Sequence, residues 1–189
     1  MLNPTLTQFY GWCAYLSAAA TVLTFLTGIL FFTVGEPFGK INDTFSVFQL
    51  LLMIPLAVMF VQLPATSHLL PALIATVLGI GGMLLLAVGQ SLLVIGHIDF
   101  EGSLKFLPAG AAIGIWLILA SSLAMVSELL PQLLAWIGVV AGAGYILTVA
   151  GFLKGGQQDP LFYLGSLVLG IGYPVWAIWL GQLLLSGKV

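Results

Sequence analysis

Six long apolar stretches fill most of the chain between residues 9 and 186, and all ten of its Lys, Asp and Glu residues fall in the gaps or near the ends. An apolar run of about 20 residues crosses the roughly 30 Å hydrocarbon core as a helix, which bonds every backbone polar group within the segment. The chain is 61% hydrophobic and 5% charged, against roughly a quarter charged in soluble domains. The expected fold class is therefore all-α: a polytopic membrane protein, six transmembrane helices arranged as three helical hairpins. The spans are expected at residues 9–34, 44–63, 69–96, 106–127, 131–153 and 161–186, in one domain covering 1–189.

Several function classes are excluded on the same grounds. Six spans leave connections too short for a separate soluble enzyme domain. The net charge of -2, with four Lys and no Arg, offers no basic patch to a phosphate backbone, so nucleic acid is not a partner. No span carries an Asp, Glu, Lys or His at mid-membrane, where a proton- or ion-coupled transporter places one. Gln49, Gln62 and Gln90 are neutral and cannot relay protons by titrating. There is no His-x-x-x-His, Gly-x-Ser-x-Gly or glycine-rich phosphate loop. The lone Cys13 reads as a small hydrophobe. Met1-Leu2-Asn3-Pro4-Thr5 lacks the basic region of a secretory signal, so the first span is expected to stay in the mature protein.

Local signals mark the helix ends. Asp43 reads as the N-cap of the second span, and Asp159-Pro160 as an N-cap followed by a proline at the first helical position. Pro55 and Pro174 lie inside spans and are expected to bend them. An even number of spans puts both termini on one side. The opposite, loop-rich face then carries most of the charge, in tips containing Gly35, Gly96 and Gly155 that recur about every 60 residues and hint at a threefold repeat. Three of the four lysines favour that face as cytoplasmic, while its longer acidic loops favour the N-in, C-in orientation.

In lipid the helices gain little from the hydrophobic effect, so small residues must let them pack closely. Gly110/Gly114, Gly138/Gly142 and Ser166/Gly170 stand one turn apart, and Ser17, Thr21, Thr24 and Gly28 form a single stripe in the first span. Either packing within the chain or association with a homo-oligomeric or membrane-protein partner uses such faces. Trp12 and Trp136 fall at the terminus-side interface as anchors. Trp116, Tyr145, Tyr173 and Trp176 lie deeper. They read as core packing or, if they converge, as the lining of a site for a lipid, quinone or pigment.

The charged tips hold the other candidate site. In an extended segment, His97, Asp99 and Glu101 point the same way, one imidazole with two carboxylates, a set suited to a divalent cation. Glu36 and Asp43, on the same face, complete it with oxygen ligands. In a helical or turning segment these residues instead fan out as solvated charges.

Gly35-Glu36-Pro37-Phe38-Gly39-Lys40-Ile41-Asn42-Asp43, together with Tyr173-Pro174-Val175-Trp176-Ala177-Ile178-Trp179-Leu180-Gly181, resembles segments of small six-helix bacterial membrane proteins of uncharacterised function. The resemblance touches about a tenth of the chain. It implies six spans in a bacterial cytoplasmic (inner) membrane and brings no activity with it. The expected function is an integral membrane binding or interaction protein without intrinsic catalysis, in contact with membrane lipid and, where the deep aromatics form a site, holding a lipid or other apolar ligand. The alternatives are a passive channel or small-solute transporter, and a metal-dependent membrane enzyme built on the charged face.

Overall fold

The computed structural model describes residues 3–62 and 69–188. They form α1 (Pro4–Val34), α2 (Phe38–Gln62), α3 (Leu69–Val94), the single-turn α4 (Phe100–Leu104), α5 (Ala109–Val126), α6 (Gln132–Gly155) and α7 (Pro160–Leu185), with a 3-10 turn at Gly156–Gln158. Six helical segments are long and apolar enough to cross a membrane, α4 and α5 together supplying the fourth. The protein is a multi-pass integral membrane protein, and its fold is an all-α bundle of three hairpins.

The helix starts follow capping chemistry where it is available. The Asn3 side chain accepts from Thr5 N at 3.0 Å with Pro4 at the first helical position, so α1 begins well before its apolar stretch. Asp159 caps α7 by accepting from Leu161 N at 2.8 Å, and its other oxygen lies 3.5 Å from Lys154 Nζ. The expected role of Asp43 is corrected: α2 starts at Phe38, placing Asp43 inside the helix and not at its cap. Hydropathy locates the lipid-crossing part of a helix, whereas a polar first turn at the interface is helical without being apolar. The chain has already reversed at Gly35, whose φ of 94° is open to glycine and whose N–H closes α1 onto Phe31 O. In the third tip the left-handed residue is Gly156, not Gly155, which ends α6. Leu63 and His68, read as a span end and an interfacial loop residue, lie outside the described residues.

Each long helix packs on its neighbour in sequence, α1 on α2, α2 on α3, α3 on α5, α5 on α6 and α6 on α7, and α7 returns to α1. The result is a closed ring of six. Its contacts are made at small residues, as lipid requires. A Cβ on Gly114 would lie 2.6 Å from Gly142 O, and one on Gly142 would lie 2.6 Å from Gly114 O, so α5 and α6 touch backbone to backbone. Gly82 of α3 likewise meets Ala109 O at the head of α5, and Gly181 of α7 meets Gly11 O of α1. On α7 the face towards α6 is built from Gly165, while Gly170 receives the Phe25 ring of α1. Of the expected Ser166/Gly170 pair, Gly170 meets α1, and the close contact with α6 is made by Gly165. Trp12 and Trp136 are 59% and 50% exposed, in keeping with interfacial anchoring.

Gly142→Ala is expected to lose roughly 1–3 kcal/mol, because the methyl must push α5 and α6 apart. Gly81→Ala, whose Cβ meets open space, is expected to hold or gain up to about 1 kcal/mol from helix propensity. Equilibrium unfolding in mixed micelles compares the two; equal stability would remove the backbone contact from its place in the fold.

Candidate functional site

Inside the ring, the three returning helices of the hairpins each send one large aromatic to the centre. Phe60 of α2, Trp116 of α5 and Trp176 of α7 meet pairwise, with ring centroids 6.3 Å (Phe60–Trp116), 6.0 Å (Phe60–Trp176) and 6.5 Å (Trp116–Trp176) apart. Phe60 lies nearly parallel to Trp176, and Trp116 stands edge-on to both, the two arrangements that the aromatic quadrupole favours. Glycines make the room: a Cβ on Gly79 would lie 2.5 Å from Trp116 Cγ. Both tryptophans are completely buried.

A neutral polar layer lies beside the triad. Tyr173, 5.9 Å from Trp176 ring to ring, donates from its hydroxyl to Ser17 Oγ at 2.8 Å, and Ser17 donates on to Ala14 O. Gln49 Nε2 donates to the Tyr145 hydroxyl at 3.0 Å, with Met53 Sδ 3.9 Å from both groups. The second bond joins α2 to α6, two helices that do not adjoin in the ring, so it crosses the interior. Towards the loop face Asn42 donates to Thr24 O, tying the start of α2 to α1 across Gly28. Asn42, Ser46, Gln49 and Met53 share one stripe of α2, and its first member, Asn42, meets the Ser17, Thr21, Thr24 and Gly28 stripe of α1 at Thr24 and Gly28. Near the triad a small recess of about 10 Å³, lined by Phe60, Thr76, Ala120 and Ala124 among others, has room for about one water.

Of the deep aromatics picked out in the sequence, Trp116, Tyr173 and Trp176 are gathered in one cluster, and Tyr145 joins the same core. Of their polar partners, Ser17 is marked in the sequence as a member of a polar stripe and Gln49 only as a neutral residue within a span. Phe60 was missed. Its sequence context, an aromatic within an apolar run, does not separate it from the exposed Phe32 or Phe48.

The charged residues are arranged differently. The chain turns at Gly96, where φ is 75°, and enters α4 at Phe100, so the extended presentation of His97, Asp99 and Glu101 is not formed. Asp99 is the α4 N-cap, accepting from Gly102 N at 2.7 Å. His97, Glu101 and Glu36 are exposed and Asp43 is half-buried. Among the described residues no three His, Cys, Asp or Glu side chains are grouped to hold a metal ion.

No family model matches the chain, and no curated protein or solved structure matches it.

A double-mutant cycle of Gln49→Leu and Tyr145→Phe is expected to give a coupling of roughly 0.5–1.5 kcal/mol, the range of buried interhelical hydrogen bonds in lipid. Additive losses in micellar unfolding would mean that the bond across the interior contributes nothing.

Proposed function

We propose that the protein is a binding or interaction component of a bacterial cytoplasmic membrane, with both termini inside and no chemistry of its own. Its partners, whether lipid, a second copy or another membrane protein, meet the outer belt and the loop face. The observation that carries this reading is the filled centre: Phe60, Trp116 and Trp176 close the ring from three sides. A lipid, quinone or pigment seated among these aromatics would have to displace them. What remains for recognition is the surface, where Phe32, Val34, Ile95 and Leu153 stand exposed at the loop end beside Glu36, Lys40, His97 and Lys154.

One observation favours a second reading, a small-solute path. Polar stripes of α1 and α2 meet at Asn42 and Thr24 near the loop face and reach Ser17 and Gln49 in the interior, and in this reading the aromatic triad acts as their seal.

Proteoliposome flux separates the two. The interaction reading expects glycerol, urea and water permeation at the level of empty liposomes for the native chain and for Trp176→Ala, once each is shown to be folded and monodisperse. Permeation that rises several-fold in either would favour the sealed path. The interaction reading further expects that native membranes extracted into polymer-bounded discs carry this chain with a second copy, another membrane protein or an enriched lipid; a lone monomer in lipid of bulk composition would overturn it.

A further inference from the structure

Hydroxyl groups inside the spans mostly return a hydrogen bond to their own helix: Ser17 to Ala14 O, Thr21 to Ser17 O, Ser46 to Asn42 O and Thr148 to Gly144 O. That is how a serine or threonine is accommodated in an apolar helix. Ser121 of α5 breaks the pattern. Its Oγ is fully buried and has no protein partner, as is also true of Thr24 Oγ1, Gln90 Oε1, Ser127 Oγ, Trp116 Nε1 and Trp176 Nε1. Buried polar atoms in folded proteins are bonded to protein or to ordered water, so each exception calls for an explanation.

Two of these six atoms meet at one point. A Cβ added to Gly138 of α6 would overlap Ser121 Oγ and lie 2.7 Å from Trp176 Nε1 and 2.9 Å from Trp176 Cδ1. Three helices therefore bring a hydroxyl and an indole N–H to a single corner, at the place where α6 has no side chain. An indole nitrogen only donates, whereas a hydroxyl donates and accepts. The two groups make no hydrogen bond to each other. A small molecule that accepts from the indole and exchanges a hydrogen bond with the hydroxyl satisfies both, and water is the molecule of that size and chemistry.

We propose that the corner formed by Ser121, Gly138 and Trp176 is a binding site for one ordered water molecule, which accepts from Trp176 Nε1–H and bonds to Ser121 Oγ. The water links α5 to α7 over the glycine of α6 and holds the Trp176 ring in its plane against Phe60. Ser121 Oγ and the indole edge themselves fill the space beside Gly138, so the water enters only with the Ser121 side chain turned aside. Glycine at 138 is then required twice over, for the approach of Trp176 and for the water itself.

Proton-detected solid-state NMR of 15N-tryptophan-labelled protein in lipid bilayers tests this, with the five indole signals assigned by single Trp→Phe variants. Trp12 and Trp136, exposed at the interface, serve as wetted references. The expected result is a cross-peak at the water frequency for Trp176, reduced several-fold in Ser121→Ala and abolished in Ser121→Val, whose methyls fill the corner. Either variant suffices should the other fail to fold. A Trp176 signal without a water cross-peak in the native chain would overturn the proposal. So would a cross-peak that both variants leave unchanged. A Trp176 shift on Ser121→Ala with no water contact in the native chain would assign a direct indole-to-hydroxyl bond in its place.

Discussion

Helices in a bilayer are not driven together by water, because the acyl chains are as apolar as the side chains they would replace. Attraction has to come from close contact over a long seam, and close contact demands that side chains be absent where backbones meet. At Gly114 and Gly142 a Cβ on either would lie 2.6 Å from the other's carbonyl oxygen, and between α6 and α7 a Cβ on Gly151 or Gly165 would overlap the backbone nitrogen of Phe162 or Thr148. The same solution recurs at Gly82 against Ala109 and at Gly11 against Gly181. Because the seams between helices are made of glycine and alanine, the bulky residues are displaced in two directions. They go outward into lipid, as with Phe9, Val77 and Leu133, or inward to the axis of the ring, as with Met53, Trp116 and Trp176. The filled centre is thus a consequence of thin seams.

The interior polar groups obey a second constraint. An unpaired charge at that depth would cost several kcal/mol, and the bundle uses only neutral donors and acceptors there: Tyr173 with Ser17, Tyr145 with Gln49, Asn42 with the Thr24 carbonyl. These bonds add direction to contacts that dispersion alone leaves free to slide. The link from Gln49 to Tyr145 joins opposite sides of the ring. It fixes the depth of α2 relative to α6, which the apolar surfaces of the two helices do not determine.

Different parts of this arrangement were legible in the sequence to different degrees. The six spans were plain, since the lipid core imposes a length and a composition that nothing else in the chain imitates. Helix ends were legible where a cap was present, as at Asp159. They were misread at Asp43, where the second helix starts in polar residues that hydropathy does not count. The depth of Trp116, Tyr145, Tyr173 and Trp176 followed from their place in the spans. Their partners did not, because which face of a helix points inward depends on neighbours far away in the chain: Ser17 and Tyr173 are separated by 156 positions. The contact of α7 with α1 that closes the ring is hidden for the same reason. For the charged tips, the turn at Gly96 and the cap at Asp99 decide the side-chain directions, and a one-turn helix such as α4 is too short to leave a periodic signal.

The threefold character hinted at by the spacing of the tips is carried by architecture, not by side-chain identity. Gly35, Gly96 and Gly156 all take a positive φ and lie directly beyond or just after the outward helices of the three hairpins. Phe60, Trp116 and Trp176 come from the three helices that return. A ring of three hairpins has three inner helix faces that approach the axis, and a central plug needs one large, flat side chain from each. Phenylalanine satisfies that demand as well as tryptophan does, so residue identity drifts between the hairpins while the position remains. The two tryptophans carry an N–H that phenylalanine lacks, and at Trp176 that N–H is directed to the one corner where a hydroxyl of α5 faces a glycine of α6. The departure from threefold likeness is therefore located at a polar atom, and it falls between the second and third hairpins, where α5 meets α6.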